Sequence, residues 1–411
     1  MSAVALARAA APAPAEAAGS ATPRPLSVQA RFALGGADEA PFLLPPSLLP
    51  ADFETLAIAA HRSGVADIRL QTDDYIWFSL RKRWRRASVR RLTESELAGL
   101  VPAVAGANAV PLLAGGSEKN TRYEVTPPDM RGARYGFRLN AVSTRMGSFT
   151  HGHRLTLRVI REEPPSLDEL KVPADLRAAL YQRGGGMSWV VGATGHGKTS
   201  LLAATARQIL VTDGDAAVLT FENPIEFVLA GLPCKGPKPS QCQVGTHIDS
   251  FVAGAVNVMR SASQVVIFGE TRTADEARGV IDCALSGHVT YSTLHAETVS
   301  EVFPRLINLF SASEQAAIAN KLLDSCRLLV AQKLVRTLDL GVEAVREWIA
   351  LDRPLRQRLG AEPPERWSAL LRAEVEARGT SMESAARALL QAGRIDRSTY
   401  LEAAGIVGCE A

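Results

Sequence analysis

The chain has few cysteines, few aromatic residues and no long apolar run. Its five cysteines are scattered and form no CxxC pair, which argues against a disulfide framework and favours a reducing compartment. The short apolar runs exclude a segment that could span a bilayer. The net charge of +3 gives no electrostatic reason to require a nucleic-acid partner. At 411 residues, the composition predicts an ordinary globular protein of two or three domains.

Two stretches resemble functional segments only weakly. Residues 1–26 are rich in alanine, but prolines interrupt the apolar run that a targeting segment needs, so we predict a disordered or irregular segment up to residue 46. Cys234, Cys242 and His247 fall close together in the sequence. A structural zinc site needs a fourth ligand, and none is evident nearby, so we assign no metal to these residues.

The most informative stretch is SWVVGATGHGKTSLLAATARQIL, from Ser188 to Leu210. Its first residues have the composition of a buried strand, and the apolar spacing after Lys198 is typical of a helix. Between them, residues 192–199 fit G-x-x-x-x-G-K-[ST] without a mismatch. Glycines let backbone N–H groups surround a polyphosphate, and a helix N-terminus attracts the same anion. We therefore predict a nucleotide-binding P-loop formed by Gly192, Ala193, Thr194, Gly195, His196, Gly197, Lys198, Thr199 and Ser200.

Within this loop Lys198 is expected to reach the β- and γ-phosphates, and the Thr199 hydroxyl to hold Mg²⁺. Downstream, apolar strands alternate with amphipathic helices, which predicts a parallel, doubly wound sheet. Ligands of such sheets bind at the carboxyl ends of the strands, where Glu222, Glu270 and His295 collect. Glu270 is placed to orient an attacking water or to hold Mg²⁺ through water, and His295 to sense or stabilise the γ-phosphate. His288, at the other end of its strand, is interpreted as structural.

The sequence pattern over residues 47–163 predicts a smaller domain with both helices and strands. A helix is expected over residues 51–63, and strands over DIRLQ (67–71), WFSL (77–80), GFRLNAV (136–142) and RLTLRVI (154–160). Thr93 and Glu96 form a capping box, and Pro102 predicts that the helix ends near Leu100. The run RKRWRR (81–86), the start of a basic cluster that extends to Arg91, has two interpretations: a basic patch for acidic lipid or nucleic acid, and a solvated hairpin turn flanked by strands. The turn is favoured.

The motifs in combination resemble the secretion ATPases of type II and type IV systems, including the PilT-like pilus-retraction motors. GATGHGKT resembles the family's Walker A motif, and FENPIEF (221–227) resembles its aspartate box. VVIFGETR (265–272) resembles its Walker B motif with Glu270 as catalytic glutamate, and LSGHVTYSTLHA (285–296) its histidine box. RLINLFSASEQ (305–315) and LVAQKLV (329–335) are similar to segments further downstream. The resemblance extends from about Asp67 to Tyr400.

The resemblance implies an α/β fold with a RecA-like P-loop NTPase domain. Its implied boundaries are a PAS-like α+β domain over 47–163, a linker over 164–170, the P-loop domain over 171–340 and a helical region over 341–411. It implies that Arg138 and Arg158 reach a nucleotide across a domain or subunit boundary. It further implies an ATPase that uses ATP and Mg²⁺ and forms a ring, a hexamer, in the cytoplasm. This ring would associate peripherally with the inner membrane and dock on a secretion or pilus platform protein.

The sequence also departs from the family pattern. Asn223 and Thr273 stand where the family usually has aspartates, and Gln264 replaces an acidic residue before the Walker B strand. The tetracysteine motif of many type II and pilus-assembly members is absent, which favours retraction-type, conjugation or Dot/Icm-type members. Two other functions stay open: a DNA-translocating motor, in which the basic cluster would act, and a nucleotide-gated docking module that does not hydrolyse.

Overall fold

The computed structural model describes residues 44–80, 83–130, 134–146, 149–160, 163–181, 183–339 and 341–406. Nearly all of the amino-terminal segment predicted to be irregular, and the first two residues of the basic cluster, lie outside the described residues. Within this part of the chain, the strands form a six-stranded sheet and a seven-stranded sheet. None of the helices described has both the length and the apolar character needed to cross a membrane.

The amino-terminal sheet is antiparallel and has three helices packed on it. Its strand order is β3-β2-β1-β6-β5-β4, and its core contains Phe53, Ile68, Phe78 and Phe137. The elements in chain order are α1 (Pro50–Arg62), β1 (Asp67–Gln71), β2 (Trp77–Leu80), β3 (Arg83–Arg86), α2 (Glu94–Ala105), α3 (Ala109–Ala114), β4 (Lys119–Val125), β5 (Tyr135–Met146) and β6 (Phe149–Ile160).

Helix α2 differs from the sequence prediction at its end. The capping box of Thr93 and Glu96 is present, but the helix runs through Pro102 to Ala105. An interior proline costs about 3 kcal/mol because it removes a hydrogen bond and crowds the preceding turn. Val101 and Val104 on the last turn are buried in the core, and each buried valine stabilises by roughly 1.5–3 kcal/mol. Packing therefore outweighs the local cost of the proline.

The second sheet has the order β13-β12-β7-β11-β10-β8-β9, and its pairs are parallel except for the antiparallel pair β12–β13. Apolar clusters cover both faces, as in a doubly wound sheet. The elements are α4 (Ala174–Leu180), β7 (Gly186–Val191), α5 (Lys198–Thr212), β8 (Val218–Glu222), β9 (Ser240–Gln243), α6 (Phe251–Val258), β10 (Val265–Phe268), α7 (Ala274–Leu285), β11 (Val289–Leu294), α8 (Val302–Ile307), α9 (Ala312–Ser325), β12 (Cys326–Arg336) and β13 (Val342–Ala350).

The helical region predicted over residues 341–411 begins later than expected. Residues 342–350 form β13, the edge strand that pairs with β12, so the helical region begins only at residue 353. Val345 and Ile349 are buried four residues apart, a spacing that also fits a helix, which explains the error. The remaining helices are α10 (Arg353–Gly360), α11 (Pro364–Arg378), α12 (Met382–Gln391) and α13 (Arg397–Ala404).

Candidate nucleotide site

The predicted P-loop joins β7 to α5 at the carboxyl edge of the second sheet. Three of its glycines adopt positive φ angles: Gly192 at 150°, Gly195 at 79° and Gly197 at 75°. A Cβ at Gly192 would lie 2.4 Å from the carbonyl oxygen of Gln332 on β12, so only glycine fits there. The loop ends at the N-terminus of the 15-residue helix α5, where backbone N–H groups and the helix dipole favour an anion.

Lys198 folds back over this loop. Its Nζ donates to the carbonyl oxygens of Gly192 at 2.7 Å and of Ala193 at 3.1 Å. Burial lowers the pKa of Lys198, and the charges of Glu270 and Glu226 oppose that shift only in part. The ammonium is thus held beside the anion-binding loop by neutral oxygens, which phosphate oxygens can replace with stronger, charge-assisted bonds.

Glu270 lies two residues beyond β10 and faces Lys198, Arg272 and His295. Arg272 Nη2 donates to its Oε2 at 2.6 Å, and His295 Nε2 lies 2.7 Å from Oε1. That histidine contact is out of line for a hydrogen bond, so Oε1 is buried without a hydrogen-bond partner among the described residues. Burial raises the pKa of Glu270, but the Arg272 hydrogen bond and the nearby positive charges outweigh it and hold the pKa below its usual value.

The backbone on either side of Glu270 is fixed by the neighbouring strands. Gly269 N–H donates to the carbonyl oxygen of Phe221 at 2.8 Å, and the Thr293 hydroxyl donates to the Gly269 carbonyl at 2.7 Å. The Thr271 N–H donates to the Thr293 carbonyl at 2.9 Å. An ionised carboxylate is therefore held rigidly, with one buried oxygen that touches His295 but accepts no hydrogen bond from the described residues. That oxygen is suited to accept a proton from water or to face a cation.

Glu222 ends β8 and occupies a different environment. Its Oε1 accepts hydrogen bonds from the Thr220 hydroxyl at 2.6 Å and from Gln241 Nε2 at 3.2 Å. Burial raises the pKa of Glu222, and these hydrogen bonds lower it only in part. It lines a small cavity together with Thr199 and Phe227. Glu222 therefore borders the same cavity as Thr199 of the P-loop.

The two predicted strand arginines are cross-strand neighbours on β5 and β6. Arg138 Nη1 lies 3.9 Å from Glu226 Oε1, so it reaches the loop that follows β8 within one chain. Arg158 instead pairs through Nε with Asp67 Oδ1 at 2.7 Å. The structure thus brings Arg138 to the rim of the site and leaves Arg158 on the six-stranded sheet. Two arginines directly opposite each other repel, and an anion between them would relieve that repulsion.

The three departures from the family pattern have separate explanations. Thr273 caps α7 and accepts from the Glu276 N–H, a role in which threonine ranks only somewhat below aspartate. Gln264 lies at the amino edge of the sheet, opposite the P-loop, where its Oε1 accepts from the Ala217 N–H at 2.9 Å. Asn223 is exposed directly after Glu222. Asn223 is therefore the departure that lies at the candidate site.

Other sequence features have structural roles. His288 Nδ1 lies 3.1 Å from the Cys283 carbonyl at the amino edge of the sheet. His247 Nδ1 accepts from the Gln243 N–H at 2.9 Å, and the described residues include no cluster of three metal-ligating side chains. In the basic cluster, β3 is an exposed strand of a hairpin with β2, with Arg86 stacked on Tyr75 at 4.8 Å. A hairpin is therefore present, but residues 83–86, which were predicted to belong to its turn, form its second strand.

Three residues near the loop were not predicted from the sequence: Glu226, Gln332 and Arg346. Glu226 faces Arg138 and acts electrostatically on both Lys198 and Glu222. Gln332 donates to the His196 carbonyl from β12 and accepts from Arg346 on β13. The one available signal for Gln332 is a polar residue within the otherwise apolar run LLVAQ.

A family model described as "Type II/IV secretion system protein" matches residues 127–388, well over half of the chain. The chain belongs to this family. The resemblance inferred from the motifs is therefore confirmed. Among curated family relatives, the uncharacterized protein YggR of Escherichia coli is 33% identical over 184 residues, which is 45% of this chain and 55% of YggR. The type IV pilus ATPase PilU of Pseudomonas aeruginosa is 34% identical over 203 residues, 49% of this chain and 51% of PilU.

Among solved structures, the Legionella pneumophila ATPase DotB is similar over 88% of this chain and 99% of DotB, with a TM-score of 0.81 and 31% identity. This similarity confirms the predicted fold class: a P-loop α/β domain with a smaller amino-terminal domain and a helical region. The chain spans about half the length of the curated relatives that it matches.

Proposed function

We propose that this protein is a Mg-dependent ATPase that forms a ring and drives a type IV secretion, conjugation or pilus machine. The observation that carries the proposal is the placement of Glu270. Its ionised carboxylate has one buried oxygen that receives no hydrogen bond from the part of the chain that the structure describes, at the mouth of a P-loop whose lysine it faces. Family membership supports the role of a secretion or pilus motor.

In this proposal the P-loop N–H groups and Lys198 bind the phosphates of ATP. Glu270 orients a water molecule and accepts its proton as the water oxygen attacks the γ-phosphorus. The bond from the γ-phosphorus to ADP breaks, and the products are inorganic phosphate and ADP. Magnesium would be held by Thr199 and, through water, by Glu270. When bound, it would neutralise charge on the phosphate oxygens. His295, whose Nε2 touches Glu270, is placed to respond to the γ-phosphate.

The positive charge needed in the transition state would come from the amino-terminal sheet. Arg138 lies close enough to Glu226 to reach the loop that follows β8, and Arg158 stands beside it on the next strand. Such cations raise the rate of phosphoryl transfer by about a thousandfold or more in P-loop enzymes. In a hexameric ring, Arg158 would need to leave Asp67 in order to reach a nucleotide of a neighbouring subunit.

The proposed setting is the cytoplasmic face of the inner membrane, with a platform protein as partner and no requirement for nucleic acid. DotB and PilU are named ATPases, and PilU is named for the type IV pilus. Hydrolysis would change the arrangement of the two sheets across the Pro164–Pro165 linker. Arg207 on α5 donates to the Pro164 carbonyl at 2.6 Å, so this linker is attached to the helix that follows the P-loop.

The test compares wild-type protein with Lys198→Ala in phosphate release, with and without DNA, and in binding of a fluorescent ADP. We expect hydrolysis that DNA does not change, and loss of both binding and turnover in the variant. Lys321→Ala, which removes a surface ion pair with Asp282, is the control. Turnover that requires DNA would identify a DNA translocase, and binding without turnover would identify a docking module. Unchanged turnover in Lys198→Ala would exclude this P-loop as the working site.

A further inference from the structure

Gln332 connects the P-loop to the neighbouring strands. Strand β12 runs parallel to β7, and the pairing of Ala331 with Val191 sets Gln332 beside the first residue of the loop. Its Nε2 donates to the His196 carbonyl at 2.7 Å, and the residue is only 3% exposed. A Cβ at Gly197 would lie 3.0 Å from the same nitrogen. The side chain therefore packs directly against the centre of the P-loop.

This contact sets the direction of one peptide group. In a trans peptide the C=O and the following N–H point in opposite directions. With the His196 carbonyl turned toward Gln332, the Gly197 N–H is turned away from Gln332. Gly195 and Gly197 both have positive φ angles, so the chain on either side can rotate at little steric cost. A hydrogen bond from outside the loop is the means of holding this peptide in one orientation.

The other end of the Gln332 side chain is held by a buried arginine. Arg346 is the cross-strand partner of Gln332 on β13, and its Nε donates to Gln332 Oε1 at 2.7 Å. Arg346 is 6% exposed and forms no ion pair within the described residues. Because one amide carries the donor and the acceptor, fixing Oε1 toward Arg346 fixes Nε2 toward the loop.

The guanidinium of Arg346 also contacts the segment between the two sheets. Its Nη2 donates to the Leu170 carbonyl at 2.9 Å, and its Nη1 to the Lys171 carbonyl at 3.4 Å. We call residues 166–172 the linker turn, since three hydrogen bonds close it: Leu170 N–H to Ser166, Lys171 N–H to Asp168 and Val172 N–H to Leu167. A positive charge at the carbonyl end of a turn is favourable.

We infer that Gln332 and Arg346 are positioning residues that couple the linker turn to the orientation of the His196–Gly197 peptide in the P-loop. The inference rests on the proposed nucleotide function of the loop. When the linker turn is docked, Arg346 holds Gln332, and Gln332 holds the peptide in one orientation. Displacement of the linker turn frees the peptide and weakens nucleotide binding. By linkage, bound nucleotide stabilises the docked linker turn to the same extent.

Gln332→Glu removes the hydrogen bond to the loop and keeps the one to Arg346, while Gln332→Met, which adds no charge, shows whether lost affinity comes only from the new carboxylate beside the phosphates. A carboxylate still accepts from Arg346, and more strongly, but it cannot donate to the His196 carbonyl. We expect the dissociation constant for ADP to rise about tenfold or more, since an unmade hydrogen bond and oxygen–oxygen repulsion replace a good contact. The melting temperature without nucleotide should change little, because the charge-assisted bond with Arg346 offsets the hydrogen bond that is lost. Gln332→Met, which removes both hydrogen bonds, should also weaken binding and serves if the first variant does not fold.

The matched control is Gln71→Glu. Gln71 is another buried glutamine that accepts from an arginine, Arg69, at 2.7 Å, but it lies on the six-stranded sheet. We expect its ADP affinity to equal that of the wild type. Unchanged affinity in Gln332→Glu would overturn the inference. Failure of the wild-type protein to bind ADP would instead contradict the proposed function, so the two failures are distinguishable.

Hydrogen exchange tests the other end of the coupling. Saturating ADP should slow exchange of the amides of Leu170, Lys171 and Val172 in the wild type, because it favours the docked linker turn. In Gln332→Glu at saturating ADP, this slowing should be lost. A purely local effect on the P-loop would lower affinity but leave the response of the linker turn intact. That result would overturn the coupling.

Discussion

The sharpest test of the candidate site compares Glu270→Gln with Glu222→Gln. Both residues end strands at the same edge of the sheet, and either could be the base from sequence alone. Their environments differ in the structure. Nearby positive charges keep the pKa of Glu270 low, although burial opposes them, whereas burial raises the pKa of Glu222. Glu270 Oε1 also accepts no hydrogen bond from the described residues, while Glu222 Oε1 already accepts two.

The expected magnitude follows from these roles. A general base contributes about a hundredfold to ten-thousandfold in rate, so Glu270→Gln should lower kcat by that factor, or roughly 3–5 kcal/mol in activation free energy. The glutamine amide keeps the size of the side chain, and its oxygen can still accept from Arg272. Removing a negative charge beside the phosphates also reduces repulsion. ADP and ATP should therefore bind as tightly as in the wild type, or more tightly.

The assay is phosphate release at saturating ATP, together with fluorescent-nucleotide binding for each variant. Glu222→Gln keeps the acceptor for Thr220 and Gln241, so its loss of kcat should be much the smaller of the two. Turnover of Glu270→Gln within tenfold of the wild type would refute the assignment of Glu270 as the base. A larger defect in Glu222→Gln would transfer that role to Glu222.

Two further predictions concern the amino-terminal domain. Burial alone would raise the pKa of Glu96, but hydrogen bonds from Arg90, Thr93 and Leu48 hold it at about 2, against an ordinary 4.5. Glu96→Gln should therefore lower the free energy of unfolding at pH 7 by on the order of 3 kcal/mol. That stabilisation is present above about pH 4.5 and is lost as the pH falls toward 2. The free energies of unfolding of the wild type and the variant, measured in urea, should therefore converge in acid. A difference that does not change with pH would contradict this. Arg138→Ala and Arg158→Ala should bind ATP nearly normally but hydrolyse it poorly, and unchanged turnover in both would exclude the arginine role. If the contact lies between subunits, mixing Arg138→Ala protein with Lys198→Ala protein should restore some phosphate release. Differential tagging must first show that the rings contain both variants. Mixed rings that stay inactive would place the contact within one chain.

Sequence patterns predicted the elements whose signals are local. Strands β1 and β2 have the predicted bounds, because the alternation of apolar and polar residues directly reports the face that each strand buries. The P-loop was predictable for the same reason, since its glycines and lysine occur at fixed spacing. Glu222, Glu270 and His295 do lie at the carboxyl edge of one sheet, as their strand-end positions indicated.

Strand β13 and the buried contacts around it could not be predicted in this way. Arg346 and Glu347 are polar residues that sequence patterns place at a surface, yet they are 6% and 9% exposed. Each is buried because specific distant groups satisfy it: Gln332 and the linker turn for Arg346, and the N–H groups of Val299 and Met382 for Glu347. Those partners are 14 or more residues away in sequence. Periodicity in one segment carries no information about them.

The groups that could act on one nucleotide come from both sheets. The P-loop, its lysine and Glu270 all come from the second sheet, so their geometry is fixed by one rigid element. Arg138 comes from the first sheet and approaches through Glu226, at 3.9 Å and with both side chains partly exposed. An exposed ion pair at that distance is worth at most about 1 kcal/mol, so it can be exchanged for a phosphate at little cost. Motion of the first sheet would then bring or withdraw Arg138 while the P-loop stays assembled. The relative position of the two sheets, and the linker turn between them, would therefore control turnover.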